Sequence, residues 1–167
     1  MAAITDIARY TVLRLLQNGN SISHLKLQKM LYYIQAWYMV YFDKEKIFEE
    51  APEAWVNGPV YKTIYEIYKN KGIYEQLNYE DASTTLESIM NDLENLHEKI
   101  NIDNNKWDFF EAIFKHYGTM SHDKLVFLTH SQRPWNEARK GLEPFEYSEK
   151  KIDLDSMYEY YKESIEK

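Results

Sequence analysis

Between residues 24 and 42 the apolar positions Leu27, Met30, Leu31, Ile34, Tyr38 and Tyr41 recur at steps of three and four. That is the period of an α-helix with one buried stripe. From Met30 onwards apolar side chains spread around nearly the whole circumference, which predicts a helix enclosed by other helices. Ser23 stands where an N-cap belongs. Gln28 and Gln35 interrupt the run; seven residues apart, they share a face with Tyr32 between them. An unpaired buried amide costs about 1–3 kcal/mol. The ridge is therefore expected either to bond to backbone near Gly58-Pro59 or to open on a binding site.

Other periodic stretches surround this one. Ile7, Ala8, Val12, Leu15 and Leu16 predict a helix from Ile4 to Gln17, capped by Thr5 or Asp6 and stopped by Asn18-Gly19-Asn20. Ile47-Phe48 and the stretch from Glu53 to Val56 flank Glu49-Glu50-Ala51-Pro52, which predicts two short strands and a turn, a small β-hairpin near residues 46–56. Asn57-Gly58-Pro59 punctuates the chain, and Pro59 is placed to open a helix over residues 60–69. Leu86, Ile89, Leu93, Leu96 and Ile100 form a short heptad seam with Met90 beside it. They predict a helix at about 84–100, docked on the body or on a partner. Trp107, Phe110, Ile113, Phe114 and Tyr117 mark a further amphipathic helix. Ser121 caps a short one carrying Leu125, Val126 and Leu128, and Pro134 opens another that ends by Gly141. Residues 142–151 read as loop, and Leu154, Met157, Tyr158, Tyr161 and Ile165 predict a C-terminal helix at about 153–166. With no repeat, low-complexity tract or linker, the expectation is a mainly α protein, one globular helical domain over 1–167 around a buried central helix.

Charge changes the picture in one place. The net charge is −7, and the stretch from Glu75 to Asp103 holds eight acids against one base, so this stretch carries the whole excess. A generally acidic chain is a poor ligand for phosphate backbones, so a nucleic-acid partner is disfavoured. Glu87, Asp92, Glu94 and Glu98 form either a solvated helix face or a face that steers a basic partner. Fifteen tyrosines are expected to edge the core with their polar ends outward. There is no cysteine, no signal-peptide layout and no run approaching the ~18 apolar residues of a membrane span. Together these suggest a cytoplasmic protein without a membrane segment.

Chemistry is sparse. The five histidines form no metal-ligand spacing, no glycine-rich phosphate loop is present, and no serine sits in a nucleophile turn. No metal or cofactor is expected. His130, beside Thr129, is the best candidate for proton transfer, although such a histidine usually has a structural hydrogen-bonded role. An open cavity lined by His130 and a carboxylate would revive an enzyme reading. Trp55 and Trp135 sit beside element breaks, where tryptophan locks a loop or anchors an interface.

Three ordered stretches carry a resemblance. Lys26-Leu27-Gln28-Lys29-Met30-Leu31-Tyr32-Tyr33 with Gln35-Ala36-Trp37, then Ala54-Trp55 with Gly58-Pro59-Val60, then Leu125 to His130 leading into Pro134-Trp135 and Ala138-Arg139, resemble the Panacea domain of SocA-like and GepA-like phage-associated antitoxins. The resemblance implies a mainly helical domain with a small β element that neutralises a co-encoded toxin by binding it. It also implies family members paired with unrelated toxins, common in prophages, and in one branch an adaptor role towards a protease. The lack of an appended DNA-binding domain makes operator binding less expected. The motif residues Gln28, Lys29, Tyr32, Gln35, Trp55, Gly58, Pro59, Thr129, His130 and Trp135 are the candidate site. Variable partner-facing surfaces are expected at the acidic helix, the C-terminal helix and an exposed side of the Gln28–Tyr32–Gln35 ridge. A phage protein that binds a host defence factor is the alternative.

Overall fold

The computed structural model describes residues 1–166. Two helices come first, α1 (Ile4–Gln17) and α2 (His24–Tyr41). The Ser23 hydroxyl accepts from the Lys26 N–H at 3.1 Å, closing the start of α2 as expected. At α1, Ala3 occupies the N-cap place without a side-chain bond, so neither Thr5 nor Asp6 caps it. Fifteen of the eighteen α2 residues are buried, which makes it the enclosed helix its composition predicts. Tyr41, the last of the expected stripe, is 60% exposed.

The hairpin lies further along the chain than the apolar pairs suggested. Its strands are β1 (Glu53–Trp55) and β2 (Gly58–Val60), paired antiparallel with Ala54 opposite Pro59. Ile47 and Phe48 are buried but irregular; their backbone groups are bonded by Gln35 and Ala2 instead of by a strand. Gly58 takes φ +106°, which turns the chain back after Val56-Asn57. Val60 therefore ends a strand, and the next helix, α3 (Lys62–Tyr68), starts after Tyr61 rather than at Pro59. The stretch read as loop after Gly141 returns to the outer edge of β1: the Ala54 N–H donates to the Lys150 carbonyl and the Ile152 N–H to the Pro52 carbonyl, each at 2.8 Å.

The second half is α4 (Ile89–Ile100), α5 (Trp107–Tyr117), α6 (His122–His130), α7 (Arg133–Ala138) and α8 (Leu154–Glu166). Ser121 caps α6 by accepting from the Lys124 N–H at 3.1 Å. The acidic helix starts five residues later than the heptad count gave. Thr85 and Ser88 bond to each other's side chains and backbone in a turn ahead of it. Ile89, Leu93, Leu96 and Ile100 are buried on α1, whereas Leu86 and Met90 are 72% and 70% exposed.

Helices α1, α5, α6 and α8 and the hairpin all pack on α2, α8 most extensively, and one continuous apolar cluster runs through them. Tyr32, Tyr33, Tyr38, Tyr61 and Tyr161 are fully enclosed in that cluster rather than edging it. Burying a large apolar side chain contributes about 1.5–3 kcal/mol, so α2 is the main source of cohesion. Among the described residues no helix is long and apolar enough to cross a membrane.

Candidate functional site

The three resembling stretches meet at the hairpin. Gln28 holds the backbone just beyond β2: its Oε1 accepts from the Tyr61 N–H at 2.8 Å, and its Nε2 donates to the Tyr61 carbonyl at 3.3 Å. Gln35 does the same for the irregular stretch, accepting from the Ile47 N–H at 3.0 Å and donating to the Phe48 carbonyl at 2.7 Å. Tyr32 lies between them at 1% exposure. The ridge is thus wholly internal, and the expected exposed side does not exist; both amides are matched to backbone groups that would otherwise be buried unpaired.

Lys29 is the unusual member. It has no solvent exposure, and its ammonium donates to the Pro59 carbonyl at 3.0 Å with no carboxylate paired to it. Burial without a counter-charge disfavours the protonated form and pulls its pKa down to about 7. Gly58 is tied to it: a Cβ there would stand 2.8 Å from Lys29 Cε and 2.9 Å from Thr129 Oγ1. His24, pushed down to about 4 by burial and then by Lys29, stays neutral, with its Nε2 placed 3.1 Å from the Gln28 amide.

From the other side α7 and its C-cap residue hold β1, while α6 packs on β2. Trp135 Nε1 donates to the Trp55 carbonyl at 2.9 Å, and Arg139 Nη1 to the Ala54 carbonyl at 2.8 Å. The Arg139 Nη2 reaches the carbonyls of Glu143 and Glu146. Lys26 is likewise held by carbonyls alone, those of Ser21 and Gly118, at 2.8 and 2.6 Å. Trp55 packs its ring against Tyr65 at 4.8 Å, edge to face, and donates to Glu53 at 2.8 Å. Thr129 is buried and donates to the Val126 carbonyl.

His130 stacks flat on Trp135, centroids 4.0 Å apart. Burial, then the Lys29 cation, hold its pKa below the usual histidine range, and its Nε2 is buried without a hydrogen-bond partner. The pocket beside the hairpin, about 130 Å³, is lined by His24, Gln28, Trp55 and Tyr65 but by neither His130 nor a carboxylate. Among the described residues no group of three or more His, Asp or Glu is placed to hold a metal ion.

A second polar network joins α2 to the C-terminal half. Gln132 Oε1 accepts from Tyr33 at 2.8 Å and from Tyr161 at 2.6 Å, and the Tyr161 and Tyr32 hydroxyls lie 3.1 Å apart. Tyr33 stacks on Tyr117 at 4.3 Å, and Trp37 donates to the Tyr117 hydroxyl at 2.7 Å. Neither Gln132 nor Tyr61 stood out in the sequence, because polar residues of this kind are identified only by the tertiary partners they meet.

The acidic residues are not equivalent. Glu94 and Glu98, one helical turn apart, are exposed opposite the buried face of α4, and neither has an ion pair among the described residues. Glu87 precedes the helix and is also exposed. Asp92 is half-buried and accepts from the Ser88 hydroxyl at 2.8 Å, so it serves the helix start. On the C-terminal helix, Met157, Tyr158 and Tyr161 face α2.

A family model described as antitoxin SocA-like, Panacea domain, matches residues 27–136. That span is well over half of the 167-residue chain and takes in most of α2, the hairpin, α6 and the start of α7. The chain belongs to the SocA-like antitoxin family with its Panacea domain, as the three stretches implied. No curated protein and no solved structure matches the chain.

Proposed function

We propose that the protein is a cytoplasmic, non-enzymatic antitoxin that neutralises a co-encoded toxin by direct protein–protein contact. The family supplies the antitoxin class. The observation that carries the finer reading is the exposed acidic ridge of α4, where Glu94 and Glu98 stand without an ion pair among the described residues, with Glu87 just ahead of them. A toxin acting on RNA or nucleotides presents a basic cleft, and complementary charge raises association rate and selectivity. The motif residues support this division of labour, because Gln28, Lys29, Tyr32, Gln35, Thr129 and Trp135 spend their polar ends on partners inside the fold and leave recognition to the outer faces. Delivery of the toxin to a host protease uses the same contact. The test is co-expression with the neighbouring gene: growth is expected to be restored and the two proteins to co-purify. A neighbour that is not toxic, or growth that stays arrested, would overturn the proposal.

A further inference from the structure

A groove of about 590 Å³ opens between the end of α2 and α5. Five aromatic rings line it, those of Trp37, Tyr41, Phe42, Phe109 and Tyr117, together with the His116 imidazole, edge-on to Tyr117 at 4.6 Å, and one carboxylate, Asp108. The rings form a connected wall: Trp37 is 5.9 Å from Tyr41, Tyr41 is 6.1 Å from Phe109, and Phe42 is 5.6 Å from Phe109. The polar atom of Trp37 is already bonded to Tyr117. Asp108, in the first turn of α5, takes part in no ion pair among the described residues.

A ring face is electron-rich and attracts a cation, most strongly when a carboxylate completes the charge balance. The same wall already binds one internally. The Lys106 ammonium lies 4.9 Å over the Phe42 ring and 5.5 Å over Tyr38, and pairs with Glu45 at 2.7 Å. Among the described residues no lysine or arginine lines the groove, His116 is its basic side chain, and the chain as a whole is acidic. A planar guanidinium stacks on rings and bonds a carboxylate edge-on, which an ammonium does less well.

We infer that this groove binds an arginine side chain of a partner protein, its guanidinium between the aromatic wall and Asp108. The occupant rests on the reading of the chain as a protein-binding module; the site and its test do not.

The test is an NMR titration of the full chain with blocked tripeptides, acetyl-Leu-X-Leu-amide, where X is arginine, lysine, citrulline or leucine. The arginine peptide is expected to shift the Trp37 indole and Asp108 amide signals and to bind about tenfold more tightly than the citrulline and leucine peptides. Asp108→Asn should remove most of that preference without weakening the leucine peptide. Equal affinities for arginine, citrulline and leucine would reduce the groove to an apolar slot and overturn the inference. So would shifts confined to α4, or no shift at about 10 mM peptide. Concentration-dependent self-association abolished by Tyr41→Ser would assign the groove to a second copy and overturn it too. A failed titration beside restored growth sinks the groove and leaves the antitoxin reading standing; a successful titration in a chain that restores no growth does the reverse.

Discussion

Lys29 lies directly beneath Gly58, its Cε 2.8 Å from the point a Cβ on that glycine would occupy. The buried lysine and the left-handed glycine are one device: the absent side chain leaves room for the amine to reach the Pro59 carbonyl. Gly58→Ala therefore meets both backbone strain at φ +106° and a clash, and should cost about 2–4 kcal/mol. Urea unfolding measures this. Combining it with Lys29→Ala should show favourable coupling of about 1 kcal/mol, because the clash with Lys29 is relieved while the contact with Thr129 Oγ1 and the backbone strain are not. Purely additive losses would mean that the two residues do not share the space.

The depressed pKa of Lys29 makes stability depend on pH with a definite sign. In the folded chain the amine holds its proton only below about pH 7, whereas unfolded it does so up to its ordinary 10.5. Across that window the unfolded state binds the extra proton, so stability rises with pH, by at most about 1.4 kcal/mol per pH unit for one group. Lys26, lowered to about 8, adds the same sign above that value. Unfolding free energies from pH 7 to 9, below the range where unfolded tyrosines ionise, should climb in the wild type and climb less in Lys29→Met. Parallel slopes would show that Lys29 is not the group responsible.

Gln132 is the shared acceptor for the hydroxyls of Tyr33 and Tyr161. Gln132→Leu leaves both to find new partners and is expected to lower stability by about 2 kcal/mol. The network joins α2 to α8, so hydrogen exchange should show the protection of α8 falling before that of α1. Uniform loss across the chain would argue against a local tie.

His130→Ala tests whether chemistry takes place at the most enzyme-like residue. The flat contact with Trp135 disappears, and a stability loss of about 1 kcal/mol is expected. At a temperature where the variant is folded, toxin neutralisation should match the wild type. Abolished neutralisation by a fully folded variant would return His130 to the list of catalytic candidates.

The sequence was legible where local physics decides. The period of α1, α2 and α8 and the caps at Ser23 and Ser121 read directly, because each depends on side chains a few positions apart. The hairpin was displaced because Ile47-Phe48 and Ala54-Trp55 are equally apolar. Only the tertiary pull of Gln35, Trp135 and Arg139 decides which of them pairs. Leu86 fits the heptad yet lies outside the helix, since the Thr85–Ser88 turn intervenes and a heptad count does not register a turn. Lys26 and Lys29 look like surface residues; buried in the fold, they donate to the carbonyls of Gly118 and of Pro59 in β2, which are far away in the sequence. The aromatic groove was hidden inside a pattern that reads as core, because the period of α2 does not register that Tyr41 stays exposed beside Phe109 of α5.

The central claim is that recognition happens on outward faces while the motif residues hold the frame. Its most direct test is the affinity of the purified protein for the co-encoded toxin at low salt, comparing wild type with Glu87→Lys/Glu94→Lys/Glu98→Lys. The triple charge reversal should weaken binding by about tenfold or more, with an unchanged unfolding midpoint and a loss that shrinks as salt is added. Unchanged affinity at low salt would contradict the account.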